Sequence, residues 1–203
     1  GLNYKDHAAE ANVPLPEVPV LFTKWTTSLI AHEENIIIPS GVTQTDWEAE
    51  FAVVIGKKAV RVSEADALNY VSGYTCMNDV TDREAQSKDG QWVRSKSYDT
   101  YGPIGPRIVP ASEIGDPHNL KIEARLNGKT VQSSNTSNLI FSIPFLISYI
   151  SARITLEPGD VITTGTPHGV GAFSKPPVFM KAGDVIEVEI EKIGILRNKV
   201  VGA

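Results

Sequence analysis

The 203-residue chain carries 19 Lys and Arg against 24 Asp and Glu, a formal net charge of −5, and 41% of its residues are hydrophobic. That is enough apolar material for one sizeable core, while an acidic balance without any Lys/Arg run excludes the basic footprint of nucleic-acid or anionic-membrane binding. A single cysteine, Cys76, rules out a disulfide scaffold and a Cys-rich zinc site, and no stretch reaches the roughly 18–20 consecutive apolar residues of a membrane span, so a water-soluble protein is expected.

The first ten residues, GLNYKDHAAE, predict a short helix on which His7 and Glu10 share a face. A carboxylate that holds one imidazole nitrogen leaves the other to move a proton near neutral pH. The same spacing also serves an ordinary surface pair. Because the chain starts at Gly1 rather than Met, a preceding segment is expected and targeting stays open between cytosol and mitochondrial matrix.

Further along, DWEAEFAVVIG (46–56) reads as a strand that sends Glu48 and Glu50 to one side and Trp47, Ala49 and Phe51 to the other. A solvated sheet face would account for the two acids taken alone. The next four residues, Ala52 to Ile55, are apolar on both faces, which places the acids beside an interior cavity. Like charges about 7 Å apart along a strand repel there unless a proton or a cation separates them.

Ser63 is expected to cap a helix over EADALNYV. In GYTCMNDVTDREAQ (73–86), Asp79 closes a strand and Thr81 is expected to cap a helix that carries Arg83 and Gln86 three residues apart. Asp79 reads equally as a turn residue or as a third carboxylate. Three oxygen donors without Cys or paired His favour Mg²⁺ or Mn²⁺ over Zn²⁺. Arg83 can grip a substrate carboxylate in a bidentate fork, and Lys96, in RSKSYDTYGPIGP (94–106), can stabilise an oxyanion or shuttle a proton.

Strands follow over NLKIEARL (119–126), GDVITTG (159–165) and GDVIEVEIE (183–191), the last two entered through PGD and AGD turns. LNGKTV (126–131) carries a hairpin signal, and IFSIPFLISYIS (140–151) reads as a core helix interrupted early by Pro144. TTGTPHGVG (163–171) has glycines but no phosphate-loop spacing. Proline and glycine are spread evenly without repeats, so 1–203 is expected to form a single domain, α+β but mainly β, with mostly antiparallel pairing.

Taken together and in order, GLNYKDHAAE, FTKW, DWEAEFAVVIGKKA, GYTCMNDVTDREAQ, KSYDTYGPIGP, VQSSNT, PGDVITTGTPHGVG and IGILRNKVV resemble the fumarylacetoacetate hydrolase superfamily, and GAFSKPPVFMKAGD and DPHNLKI resemble its domain-containing protein 2 branch. The resemblance implies a mixed β-sandwich roll with few helices, paired as a homodimer. It also implies Mg²⁺ or Mn²⁺ on Glu48, Glu50 and Asp79, a mobile lid carrying His7 and Glu10, Lys96 with a catalytic role, and Arg83, Gln86 and Thr166 beside a small 2-oxo or diketo acid. The implied chemistry runs through a metal-held enolate. Oxaloacetate keto–enol tautomerisation is the reading favoured by the branch, ahead of acylpyruvate-type C–C hydrolysis or oxaloacetate decarboxylation. A non-catalytic metabolite-binding module is the reading from a different class. Asp82 and Glu84, which flank Arg83, depart from the small residue common before that Arg.

Overall fold

The computed structural model describes residues 1–203, and strands dominate its backbone. In chain order the first half runs through α1 (Lys5–Glu10), β1 (Leu29–Ile30), β2 (Ile36–Ile38), β3 (Thr45–Asp46), β4 (Ala49–Ile55), β5 (Val71–Asn78), β6 (Thr81–Asp82), α2 (Arg83–Asp89) and α3 (Val93–Lys96). The second half continues with β7 (Gly102–Pro110), α4 (Ala111–Ile114), β8 (Lys121–Leu126), β9 (Lys129–Asn135), α5 (Ile143–Ser151), β10 (Val161–Thr163), β11 (Val185–Ile190) and β12 (Gly194–Gly202).

These strands build two five-stranded sheets, ordered β1-β7-β5-β4-β10 and β2-β12-β11-β8-β9, plus the small β3–β6 pair. Period-two alternation decides which side chains meet between the sheets. Phe51, Val53 and Ile55 of β4 and Tyr74 and Cys76 of β5 share one apolar cluster with Ile122 and Ala124 of β8, Ile186, Val188 and Ile190 of β11, and Leu196 and Val200 of β12. In β11 the intervening Glu187 and Glu189 stay half-exposed and pair with Arg125 on β8. The α+β, mainly β sandwich with few short helices is therefore the observed architecture. Pairing is antiparallel except at β1–β7 and β2–β12. Asn127 and Gly128, with φ of 52° and 78°, make the tight turn between β8 and β9 that the Asn-Gly dipeptide predicts.

Local expectations fail in three places. Ser63 binds the Asp66 carboxylate and opens a turn, and only a single 3₁₀ turn, Ala67–Tyr70, forms before β5 begins at Val71. Thr81 is held in β6 opposite Asp46, so Asp82 caps α2 instead, accepting from the Glu84 and Ala85 amides. Pro144 does not interrupt α5 but lies in its first turn behind the Ser142 cap, where its missing N–H has no intrahelical partner to lose.

What matters for function is the β4–β5 register, Ala49 opposite Asn78 and Glu50 opposite Met77. It brings Glu48, just before β4, against Asp79, just after β5, and the Asp79 amide donates to the Glu48 carbonyl at 2.9 Å. No helix is long and apolar enough to cross a membrane.

Candidate active site and metal centre

The carboxylates of Glu48, Glu50 and Asp79 are all buried, with one oxygen from each lying within 4.8 Å of the others. Glu50 on β4, Glu48 just before it and Asp79 just after β5 gather beside a cavity of about 250 Å³ lined in part by His7, Glu48, Glu50, Arg83, Gln86, Lys96, Thr166, Trp92 and Phe173. Every residue expected at the site except Glu10 and Asp79 lines this cavity, and those two bind residues or ligand groups that do.

The three acids are not equivalent. Asp79 accepts from Lys24 Nζ at 2.8 Å and Lys96 Nζ at 2.7 Å. Burial would raise its pKa, but the two ammonium groups outweigh burial and hold it down at about 2. Glu48 is likewise kept below the ordinary carboxylate range despite burial, by Lys96 and then Arg83. Glu50 has no cation partner of its own and accepts from the Gly165 amide at 2.8 Å. Burial first, then the charges of Asp79 and Glu48, push its pKa up to about 7.

A hard divalent cation fits this arrangement. The donors are all carboxylate oxygens, they converge, and the repulsion that lifts Glu50 is relieved by positive charge between them. The triad can hold a divalent metal.

Lys96 is buried from end to end, and each of its three N–H groups has an acceptor: Glu48 Oε2 at 2.8 Å, Asp79 Oδ2 at 2.7 Å and Thr81 Oγ1 at 2.9 Å. Burial disfavours its charge, yet Asp79 and Glu48 prevail and raise its pKa, so it stays an ammonium. Arg83 lies alongside with Nε on Asp46 at 2.8 Å and Nη1 on Glu48 at 2.7 Å and Gln86 at 3.0 Å. Only Nη2 is unpartnered and buried. The bidentate fork expected of Arg83 is thus already spent on protein groups, which leaves Nη2 as its one nitrogen without a partner.

At the same cavity, α1 carries His7, paired with Glu10 as the i,i+3 spacing predicts, with Nδ1 of His7 3.0 Å from Glu10 Oε2. The other oxygen of Glu10 accepts from the Gly169 amide at 2.8 Å, so the carboxylate that orients the imidazole is itself fixed to the 163–171 segment. The Phe173 ring packs on His7 with centroids 5.8 Å apart. Thr166 is buried and its hydroxyl accepts from Gln132 Nε2 at 2.9 Å, leaving its own proton for a ligand.

The fumarylacetoacetate hydrolase C-terminal family model matches residues 1–201. The chain belongs to this family. It is 55% identical over 201 residues to an uncharacterised protein of Archaeoglobus fulgidus, covering 99% of this chain and 76% of that protein. It is 48% identical over 202 residues to the mitochondrial oxaloacetate tautomerase Fahd2a of Rattus norvegicus, covering 99% of this chain and 64% of that protein. The chain thus spans slightly less than two thirds of the tautomerase's length. Among solved structures, a fumarylacetoacetate hydrolase of Exiguobacterium antarcticum superposes with a TM-score of 0.92 at 40% identity, covering 99% of this chain and 73% of that one. A 5-carboxymethyl-2-hydroxymuconate delta-isomerase of Mycobacterium smegmatis gives 0.89 at 41%, covering 100% and 77%. Three of these four relatives carry names of enzymes: a tautomerase, a hydrolase and an isomerase.

Two buried groups of this family member carry no local sequence signal. Lys24 sits in a coil and reaches Asp79 55 residues away, with burial pushing its pKa down against the pull of Asp79. Asp46 precedes the glutamate pair and reads as the strand's first polar residue, yet its side chain is fully buried. Of the two acids flanking Arg83, Asp82 is a buried helix cap and Glu84 pairs with Lys88 on the surface, so neither faces the cavity.

Proposed function

We propose that this chain is a divalent-metal-dependent enzyme acting on small 2-oxo acids, that Mg²⁺ or Mn²⁺ is held by Glu48, Glu50 and Asp79, and that its reaction is oxaloacetate keto–enol tautomerisation. The observation that carries the reading is the convergence of an all-carboxylate triad with an oriented imidazole across one small cavity. Similarity to oxaloacetate tautomerases along nearly the whole chain supports the choice of reaction. A hard divalent cation on the triad would supply Lewis acidity toward the carbonyl and carboxylate oxygens of the substrate.

Converting the enol to the ketone takes one proton from the C2 hydroxyl and adds one at C3. His7 is the group placed to move it. Its Nδ1 is occupied by Glu10, which fixes the tautomer and leaves Nε2 as the exchanging nitrogen. Lys96 holds its three protons on protein acceptors, so its part is to keep Glu48 and Asp79 ionised and to place positive charge beside the developing oxyanion. Arg83 Nη2, the Gln86 amide and the Thr166 hydroxyl remain as donors for substrate oxygens.

C–C hydrolysis of acylpyruvates is the second reading, because a carboxylate-oriented histidine is also the arrangement that activates water. Time-resolved NMR separates the two. Metal-stripped protein, with and without added Mg²⁺ or Mn²⁺, is given enol-oxaloacetate and, separately, acetylpyruvate. Metal-dependent conversion of enol to ketone without carbon loss is expected. Acetate and pyruvate from acetylpyruvate would make the chain a hydrolase, pyruvate and CO₂ from oxaloacetate a decarboxylase, and inertness toward both would favour the binding-module reading.

A further inference from the structure

Asp46 does not line the cavity, yet its carboxylate is the most heavily used polar group next to it. The Trp47 amide at 2.8 Å and the Gly171 amide at 2.7 Å donate to Oδ1. Arg83 Nε at 2.8 Å and the Ala172 amide at 2.9 Å donate to Oδ2. Four donors on two oxygens fill the acceptor sites that face them, and nothing donates from Asp46 in return.

These four donors belong to three parts of the site. Trp47 leads directly into Glu48 and Glu50, and Arg83 forms the cavity wall. Gly171 and Ala172 open the 3₁₀ turn that carries Phe173, whose ring rests on His7. The same segment is fastened two residues earlier, where Gly169 donates its amide to Glu10 and accepts from Trp47 Nε1 at 3.1 Å. Gly171 is needed for the approach: a Cβ there would lie 1.9 Å from the Val178 carbonyl oxygen and 2.7 Å from Asp46 Oδ1.

We propose that Asp46 is a positioning residue that holds the substrate-side Arg83 and the seat of the His7–Glu10 pair in register with the metal-binding strand. Its kinetic consequence rests on the tautomerase reading above. The role needs both carboxylate oxygens as acceptors. Asparagine offers one acceptor oxygen, and its amide would direct N–H groups at two of the four donors whichever way it turned. With the amide in the place of Oδ2, Arg83 Nε and the Ala172 amide lose their acceptor; with it in the place of Oδ1, the Trp47 and Gly171 amides do; either way the Gly171–Phe173 turn loses one of its two anchors on β3.

The test compares Asp46→Asn, Arg83→Lys and the double variant in metal-loaded protein. Asp46→Asn is expected to lower kcat/KM for enol-oxaloacetate by roughly 10- to 100-fold, the range for groups that orient active-site residues from behind. The double variant should lose little more than the worse single, because both act on one element. Losses that multiply, or an Asp46→Asn enzyme within about twofold of the parent, would overturn the proposal. Amide hydrogen exchange on the unaltered protein supplies an arm that needs neither a folded variant nor any activity. Gly171 and Ala172 should exchange as slowly as the β4 amides, and exchange at open-loop rates would refute the role directly. If the parent leaves enol-oxaloacetate unchanged, the tautomerase reading falls while the exchange arm still decides that of Asp46.

Discussion

Replacing Glu50 by glutamine in metal-free protein should stabilise the fold, although it removes a group assigned to the metal site. Glu50 is buried beside Asp79 and Glu48, and its pKa rises from an ordinary 4.5 to about 7. The folded state therefore binds the Glu50 proton more tightly than the unfolded chain does. Stability from this group is fully present below pH 4.5, falls as pH rises toward 7, and is level above that. At 1.36 kcal/mol per pKa unit, the loss across the window is about 3 kcal/mol. Glutamine keeps an acceptor for the Gly165 amide and carries no charge at any pH. In EDTA, urea unfolding of parent and Glu50→Gln between pH 5 and 8 should give curves that diverge with rising pH, the variant ahead by about 3 kcal/mol at pH 8. Saturating Mn²⁺ should reverse the order, because binding to the native state alone adds stability in proportion to RT ln(1 + [L]/Kd). A variant that is less stable than the parent in EDTA at pH 8, or a difference that does not change with pH, would refute the electrostatic account of the triad.

Three further outcomes follow from the same geometry. Asp79→Asn should weaken Mn²⁺ binding, followed by calorimetry, by more than about 100-fold, beyond what changes outside a ligand set cost. His7→Asn should lower kcat for enol-oxaloacetate by about 10²- to 10⁴-fold while Mn²⁺ affinity stays that of the parent, and a loss under tenfold would exclude His7 as the proton carrier. Asp82→Ala removes the cap of α2 and an acceptor for the Tyr98 hydroxyl at 3.2 Å, and should cost about 1 kcal/mol, seen calorimetrically as a melting temperature lower by about 2–4 °C.

How far the sequence revealed the site depended on how local each signal was. Glu48 and Glu50 stood out because alternation along one strand places them on a single face ahead of a doubly apolar run. His7 and Glu10 stood out because three residues make most of a helical turn. The adjacency of Glu48 and Asp79 needs the β4–β5 register, and the partnerships of Lys24 and Asp46 span 55 residues and up to 126 residues, where no periodicity reaches. Capping misread Ser63 and Thr81 for the opposite reason: the local signal was real, but β6 pairing claimed Thr81, and after Ser63 only a turn and the 3₁₀ helix Ala67–Tyr70 form before β5 begins at Val71. Strand β7 was hidden by its own composition, since GPIGPRIVP carries three prolines that weaken any ladder signal.

The charge inventory links these residues into one device. Four buried carboxylates, Asp46, Glu48, Glu50 and Asp79, face three buried cationic side chains, Lys24, Arg83 and Lys96, so these side chains sum to one negative charge when all are ionised, and the Gly1 ammonium lines the same cavity. Glu50 is the acid among them without a cationic side chain of its own, and burial, then the charges of Asp79 and Glu48, push its pKa up to about 7. Each of the three cations pairs with at least one of these acids and places further donors on other protein groups, so they serve to keep the ligands ionised and leave little for gripping an incoming anion. On the proposed reading, a divalent cation would displace the Glu50 proton and turn that sum from one negative to one positive. An oxo acid anion would then enter a more positive field than it meets without the metal. On that reading, affinity for the anion would rise with the metal through the charge of the buried groups, before any direct contact between metal and substrate is counted.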